Sequence, residues 1–145
     1  MRLNDLLPLS ILIALAFPAC ANLDEARLPS ASPTCPARSA LIVVGDGYLQ
    51  TVCGCAEASP VYTTAGQSLV CTVTAGTLVQ FHYLGTTLRH QIATSGAPSF
   101  PASPISDPID PVTVVRVHAV RLDTPGTYSF RDLMNAALTG DLIVL

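Results

Sequence analysis

Apolar and polar positions alternate in short runs along most of this chain, and residues that turn a backbone separate the runs. Leu41-Ile42-Val43-Val44 and Tyr48-Leu49-Gln50-Thr51-Val52 flank Gly45-Asp46-Gly47. Asp-Gly between β-formers predicts a hairpin, because glycine accepts positive φ at no steric cost. Further β-rich runs lie at Leu69–Val73, Leu78–Tyr83, His90–Thr94 and Val112–Leu122. Pro125-Gly126 predicts a tight turn into Thr127–Phe130, an irregular loop follows, and Asp141–Leu145 closes the chain as a last strand. Such spacing predicts an all-β sandwich of about seven to eight strands. Helical periodicity is absent from the part after the first residues, and Asp132–Leu138 is too short to hold a helix unaided.

One segment breaks the alternation. From Gly96 to Pro111 a proline recurs every few residues. Proline fixes φ and cannot donate to a sheet ladder, so this stretch is expected outside the sheets, as a stiffened crossover between them. The functional alternative is a binding surface with Phe100 exposed near its middle.

Composition narrows the class. At 145 residues the chain suits one domain, and half of it is apolar, enough to build a core. Charge-driven disorder is excluded by a charged fraction of only 12%. There is no lysine and the net charge is -3. Arg27, Arg38, Arg89, Arg116, Arg121 and Arg131 stand singly along the sequence, with no basic cluster to neutralise phosphates, so nucleic acid is not an expected partner. Catalytic signatures are missing too: no G-x-S-x-G, no H-E-x-x-H, no P-loop and no Gly-rich dinucleotide turn. A non-enzyme is expected.

Residues 1–20 read as an export signal. Arg2 supplies a positive start, and Leu9–Phe17 is an apolar run too short to span a membrane. Phe17-Pro18-Ala19-Cys20 resembles a bacterial lipobox, which implies lipidation at Cys20; the rival is Ala19-Cys20-Ala21 as an ordinary cleavage site before Asn22. The first implies a membrane partner through an N-terminal lipid anchor at the cell envelope, periplasmic or outer-membrane; the second implies a soluble secreted protein. Residues 21–39, rich in Pro, Ser and Ala, are expected to be a tether, and residues 40–145 the domain.

Beyond Cys20 the cysteines form an even set, Cys35, Cys53, Cys55 and Cys71, which allows three pairings. Cys53 and Cys55 stand two apart on an expected strand and face one side, so they do not readily bond each other. The expected bridges are Cys35 to Cys53 and Cys55 to Cys71, which suits an oxidising compartment. The alternative is Cys53-Gly54-Cys55 as a soft-metal thiolate pair.

The terminal hairpin carries a specific pattern. Tyr128 and Phe130 precede the loop and Gly140 follows it, ahead of Leu142-Ile143-Val144. Upstream, Gly76–Tyr83 reads as a strand followed by a turn to His90-Gln91-Ile92. The two stretches together resemble the cupredoxins, the blue-copper family with a Greek-key β-sandwich. In that family the loop reads Tyr-x-Phe/Tyr-x-Cys-x-x-His-x-x-Met-x-Gly, and a histidine after the earlier strand completes the copper ligands. Here the resemblance implies that the ligand positions fall on His90, Asp132, Asn135 and Leu138. A type 1 copper centre needs a thiolate in its trigonal plane, and position 132 offers a hard carboxylate. Asn135 is a poor ligand and Leu138 is none. Met134 lies one residue from the frame and is expected to point elsewhere.

The expectation is therefore a cupredoxin-like binding or structural module with no cofactor, addressed to an unidentified envelope protein. In it His90 and Asp132 would form a hydrogen-bonded pair at the loop end. The alternative keeps copper: a periplasmic copper-binding or electron-transfer protein with an unorthodox site around His90. By parity with its neighbours His82 is expected to face outward and His118 inward, as a core histidine.

Overall fold

The computed structural model describes residues 35–145 except 60, 85 and 109–115. The expected export signal, the expected lipidation at Cys20 and most of the expected tether lie outside these residues. Ten strands form among them: β1 (Ser39–Gly45), β2 (Tyr48–Cys53), β3 (Glu57–Ser59), β4 (Tyr62–Thr64), β5 (Ser68–Val73), β6 (Thr77–Tyr83), β7 (Ile92–Thr94), β8 (Arg116–Leu122), β9 (Gly126–Asp132) and β10 (Thr139–Val144). They make two five-stranded sheets, ordered β4-β2-β1-β6-β8 and β3-β5-β10-β9-β7. Each sheet holds one parallel pair, β1 with β6 and β5 with β10; the remaining pairs are antiparallel. The all-β sandwich expected from the sequence is what forms.

The strand count exceeds the expected seven to eight because β3 and β4 were not legible. Each has three residues, too few to show alternation, and each lies at a sheet edge where only one ladder holds it. The domain also begins earlier than residue 40. Ser39 opens β1 and is buried, its N–H and hydroxyl both donate to Pro36 O (3.1 and 2.7 Å), and Cys35 is bridged to Cys53. The last residues assigned to the tether therefore belong to the fold.

Period-two alternation builds the core. In β6 the buried side chains are Thr77, Val79, Phe81 and Tyr83, with Leu78, Gln80 and His82 facing out. Ile42 and Val44 of the neighbouring β1 share their face, and Leu142 and Val144 of β10 with Tyr128 and Phe130 of β9 meet them from the other sheet. Gly140 is required by this packing: a Cβ there would stand 2.4 Å from the Phe130 ring and 3.0 Å from Leu69 O. Phe100 contradicts the exposed position considered for it. It is 6% exposed, its ring 5.9 Å from Phe81 and 6.4 Å from Tyr128. The proline-rich segment leads from β7 in one sheet to β8 in the other, and it drops Phe100 into the open seam between those two edge strands. Ser103 locks it there: Tyr83 Oη donates to Ser103 Oγ (2.9 Å), Ile92 N donates to the same oxygen (3.0 Å), and Ser103 N donates to Ile92 O (2.8 Å). His118, half-buried, completes the seam, with Nε2 3.1 Å from Pro101 O.

Both expected bridges are present, Cys35–Cys53 and Cys55–Cys71. The C-terminal end of β2 and the N-terminal end of β1 lie at one pole of the sandwich, so the bridges and the entry of the chain share that pole. The opposite pole is formed by the β1–β2 turn, the segment after β6 and the β9–β10 loop.

Candidate functional site

At this second pole three charged side chains lie in line. His90 is fully buried, and its Nδ1 stands 2.5 Å from Asp132 Oδ2 while its Nε2 stands 3.2 Å from Asp46 Oδ1. Both ring nitrogens thus face carboxylate oxygens, which is the arrangement an imidazolium satisfies and a neutral ring cannot. Tyr83 covers the ring from the core side, its centroid 6.3 Å away.

Each member is placed by local structure. His90 shares parity with buried Ile92, so the strand direction turns it inward, and a two-way backbone bridge with Ser106 fixes it (3.2 and 2.8 Å). Asp132 ends β9 and is fully buried. Its Oδ1 accepts from Met134 N (2.9 Å), the turn that aspartate favours, and from Gln91 N (3.0 Å), while its own N–H donates to Leu138 O (3.0 Å). Asp46 sits in the β1–β2 turn and accepts from Thr87 N, Thr87 Oγ1 and Leu88 N at 2.5 to 3.1 Å. The triad therefore ties three loops together.

Of the residues singled out from the sequence, His90 and Asp132 meet directly. Asn135 lies at the same pole, but its Nδ2 donates to Asp46 O (3.3 Å) and not to the ring. Leu138 is buried in the core, and Met134 is exposed. His82 is half-buried, with Nε2 3.0 Å from Gln80 Oε1. Asp46 was missed: its sequence signal is that of a turn residue, and only the parallel pairing of β1 with β6 reveals that this turn ends beside His90.

The electrostatics are consistent across the triad. Burial pushes the Asp46 carboxyl up, but hydrogen bonds from Thr87, Leu88 and His90 outweigh it and bring the pKa to about 2. Burial likewise opposes ionisation of Asp132, and the hydrogen bonds from His90, Gln91 N and Met134 N with the His90 charge hold it below the usual range. For His90 burial disfavours the charged ring, yet the bonds to Asp132 and Asp46 and their charges raise its pKa. A depressed carboxyl contributes stability that is complete above its unfolded pKa near 4 and is lost as pH falls through the folded value. A raised histidine contributes stability that is complete below about 6.5 and is lost as pH rises through its folded value. The triad's own contribution, read as the difference in thermal melts between the parent and His90→Leu from pH 3 to 9, should accordingly show a plateau between about pH 4 and 6.5 with a decline on both sides. The difference removes the opposing effect of His82 and His118, whose pKa values burial lowers. A difference that climbs steadily from pH 6 to 8 would contradict this charge assignment.

The donor set does not fit a copper ion. Asp46 and Asp132 occupy opposite nitrogens of the ring, so no single ion can take His90 together with both carboxylates. The four domain cysteines are bridged at the other pole, and Leu138 has no donor atom. Among the described residues no three His, Cys, Asp or Glu side chains converge on a common point. Leu138→Met should fit the same buried space and change stability by under about 1.5 kcal/mol in urea unfolding, since the swap nearly conserves volume.

These features define an all-β sandwich with a buried carboxylate–imidazole–carboxylate triad at one pole and paired disulfides at the other. No protein-family model matches the sequence, and no curated protein matches it. Among solved structures, the chain is similar to a purple cupredoxin from Nitrosopumilus maritimus at 16% identity and a TM-score of 0.47, over 73% of this chain and 99% of that one. It is also similar to amicyanin from Paracoccus versutus at 15% identity and a TM-score of 0.48, over 77% of this chain and 85% of that one. At such identities no site chemistry transfers, and the reading below rests on this chain's own residues.

Proposed function

We propose that this protein is a redox-silent, cupredoxin-like module of the cell envelope, non-enzymatic, which presents its His90 pole to a partner protein. The observation that carries this reading is the 2.5 Å contact between His90 Nδ1 and Asp132. A hydrogen bond joins the two groups at which the resemblance would place a metal, and the loops are held by charge and hydrogen bonds. Three features support presentation of this pole. Of the large apolar side chains that stand exposed, Leu88, Ile105, Leu133 and Met134 surround it. Both disulfides lie at the opposite pole, which leaves the His90 pole clear of them. The disulfides suit an oxidising compartment.

Copper titration of the purified protein tests the redox-silent part. The expected result is no stoichiometric uptake of Cu(I) or Cu(II) and no intense thiolate colour. Tight uptake of one equivalent that disappears in His90→Ala would establish the copper-handling alternative instead. For the anchor, Cys20→Ser should move the protein from the membrane fraction to the soluble one; an unchanged distribution would mean ordinary secretion or another attachment.

A further inference from the structure

The disulfide pole carries a second feature that the His90 pole does not explain. A groove of about 670 Å³ opens there, lined on its apolar side by Val52, Val61, Val73 and Ala58 and floored by the Cys35–Cys53 bridge. That size lies within the range of small-molecule sites. Arg38 stands among its lining residues.

Arg38 is unusual in its backbone. Its φ of 57° is the sole positive value outside glycine among the described residues, in a region that favours glycine and disfavours a branched-out side chain. Non-glycine residues held there are fixed by the surrounding structure, and such positions cluster at ligand clamps and active sites. Its guanidinium makes no ion pair among the described residues, a state it shares with Arg116, Arg121 and Arg131, but of these only Arg38 lines the groove. A further arginine reinforces it. Arg121 Nη1 donates to Gly76 O (3.2 Å), and Arg38 Nη1 stands 3.9 Å from where a Cβ of Gly76 would be. Two cationic groups thus flank the β5–β6 turn, with Arg38 alone lining the groove, in a chain whose net charge is -3. The nearby hydroxyls do not compete for an anion, since Ser39 Oγ, Thr51 Oγ1 and Thr77 Oγ1 already donate to backbone carbonyls.

From this juxtaposition we infer that the groove binds a small amphipathic carboxylate, with its aliphatic part along Val52, Val61 and Val73 and its carboxylate on Arg38. The apolar wall supplies burial, and the exposed Arg38 guanidinium supplies a charge-assisted pair that orients the carboxylate. The site lies at the pole opposite His90 and is independent of the reading given above.

Octanoate is the probe. Titrated into the protein and followed by amide NMR, it is expected to bind saturably and to shift Arg38, Val52, Val61 and Val73. Octanol, with the same chain and no charge, is expected to bind about tenfold or more weakly. Arg38→Gly suits the positive φ, so it should fold, and it should lose the preference for octanoate over octanol; Arg38→Asn, which also tolerates this backbone, serves if the glycine variant does not fold. Absence of octanoate binding, equal affinity for octanoate and octanol, or a folded Arg38 variant that binds octanoate as the parent does would each overturn the assignment.

Discussion

Replacing Asp132 by alanine is expected to destabilise the domain by about 3–5 kcal/mol, the range for removing one partner of a buried ion pair. The cost has two physical parts. The His90 imidazolium, fully buried, loses its nearest counter-charge, and the N–H groups of Gln91 and Met134 lose the oxygen that accepts them. Asp132→Asn separates the parts. An amide oxygen can still accept from both N–H groups, while its NH2 faces Nδ1 and permits only a neutral ring, so the acceptor term is retained and the charge term is lost. Chemical denaturation of Asp132→Ala, His90→Leu and the double variant closes the cycle. The double variant should cost clearly less than the sum of the singles, because removing both groups leaves no unpaired buried charge. Additive losses would mean that the two side chains do not act as a pair.

Removing the Cys55–Cys71 bridge as a Cys55→Ala, Cys71→Ala pair is expected to cost about 3 kcal/mol from the unfolded chain alone, given its separation of 16 residues. Cys71 is fully buried in the core, so truncation also leaves an unfilled space there. Cys35 and Cys53 are only partly buried, and their removal should cost less despite a separation of 18 residues. Melting temperatures of the two pairs of variants, compared with the parent under oxidising conditions, give the order. A smaller loss for the core bridge than for the groove bridge would contradict it.

Much of the sandwich was legible because its long strands obey a strict alternation. Leu78–Tyr83 and Thr127–Phe130 read as half-buried strands, and they are. The three-residue edge strands β3 and β4 were invisible, since their pairing is set by the neighbouring strands β5 and β2 and not by their own residues. Phe100 shows a different limit. Prolines around it correctly signalled a segment outside the ladders, but a segment can leave a sheet and still fill the seam between two sheets. For the disulfides, parity argued only against a Cys53–Cys55 bond and left two pairings; β2 in fact ends at Cys53, and the positive φ of Gly54 takes Cys55 off the strand toward Cys71.

For the site, the frame running from Tyr128 to Gly140 located Asp132, and parity with Ile92 turned His90 inward. Asp46 stayed hidden because Asp-Gly is a sufficient local reason for a hairpin, and its second use depends on where parallel strands end. The orientation of the ring, with one nitrogen toward each carboxylate, is likewise a product of topology. It is also what decides the chemistry: the carboxylates cannot join on one ion because the imidazole stands between them.

The most direct test of this account is the protonation state of His90, read from its ring nitrogen resonances by NMR across pH 5 to 9. Both Nδ1 and Nε2 should carry protons at neutral pH, with a titration midpoint above that of an ordinary histidine. A neutral, single-tautomer ring at pH 7 would contradict it, and would return Nδ1 to the role of an available metal donor.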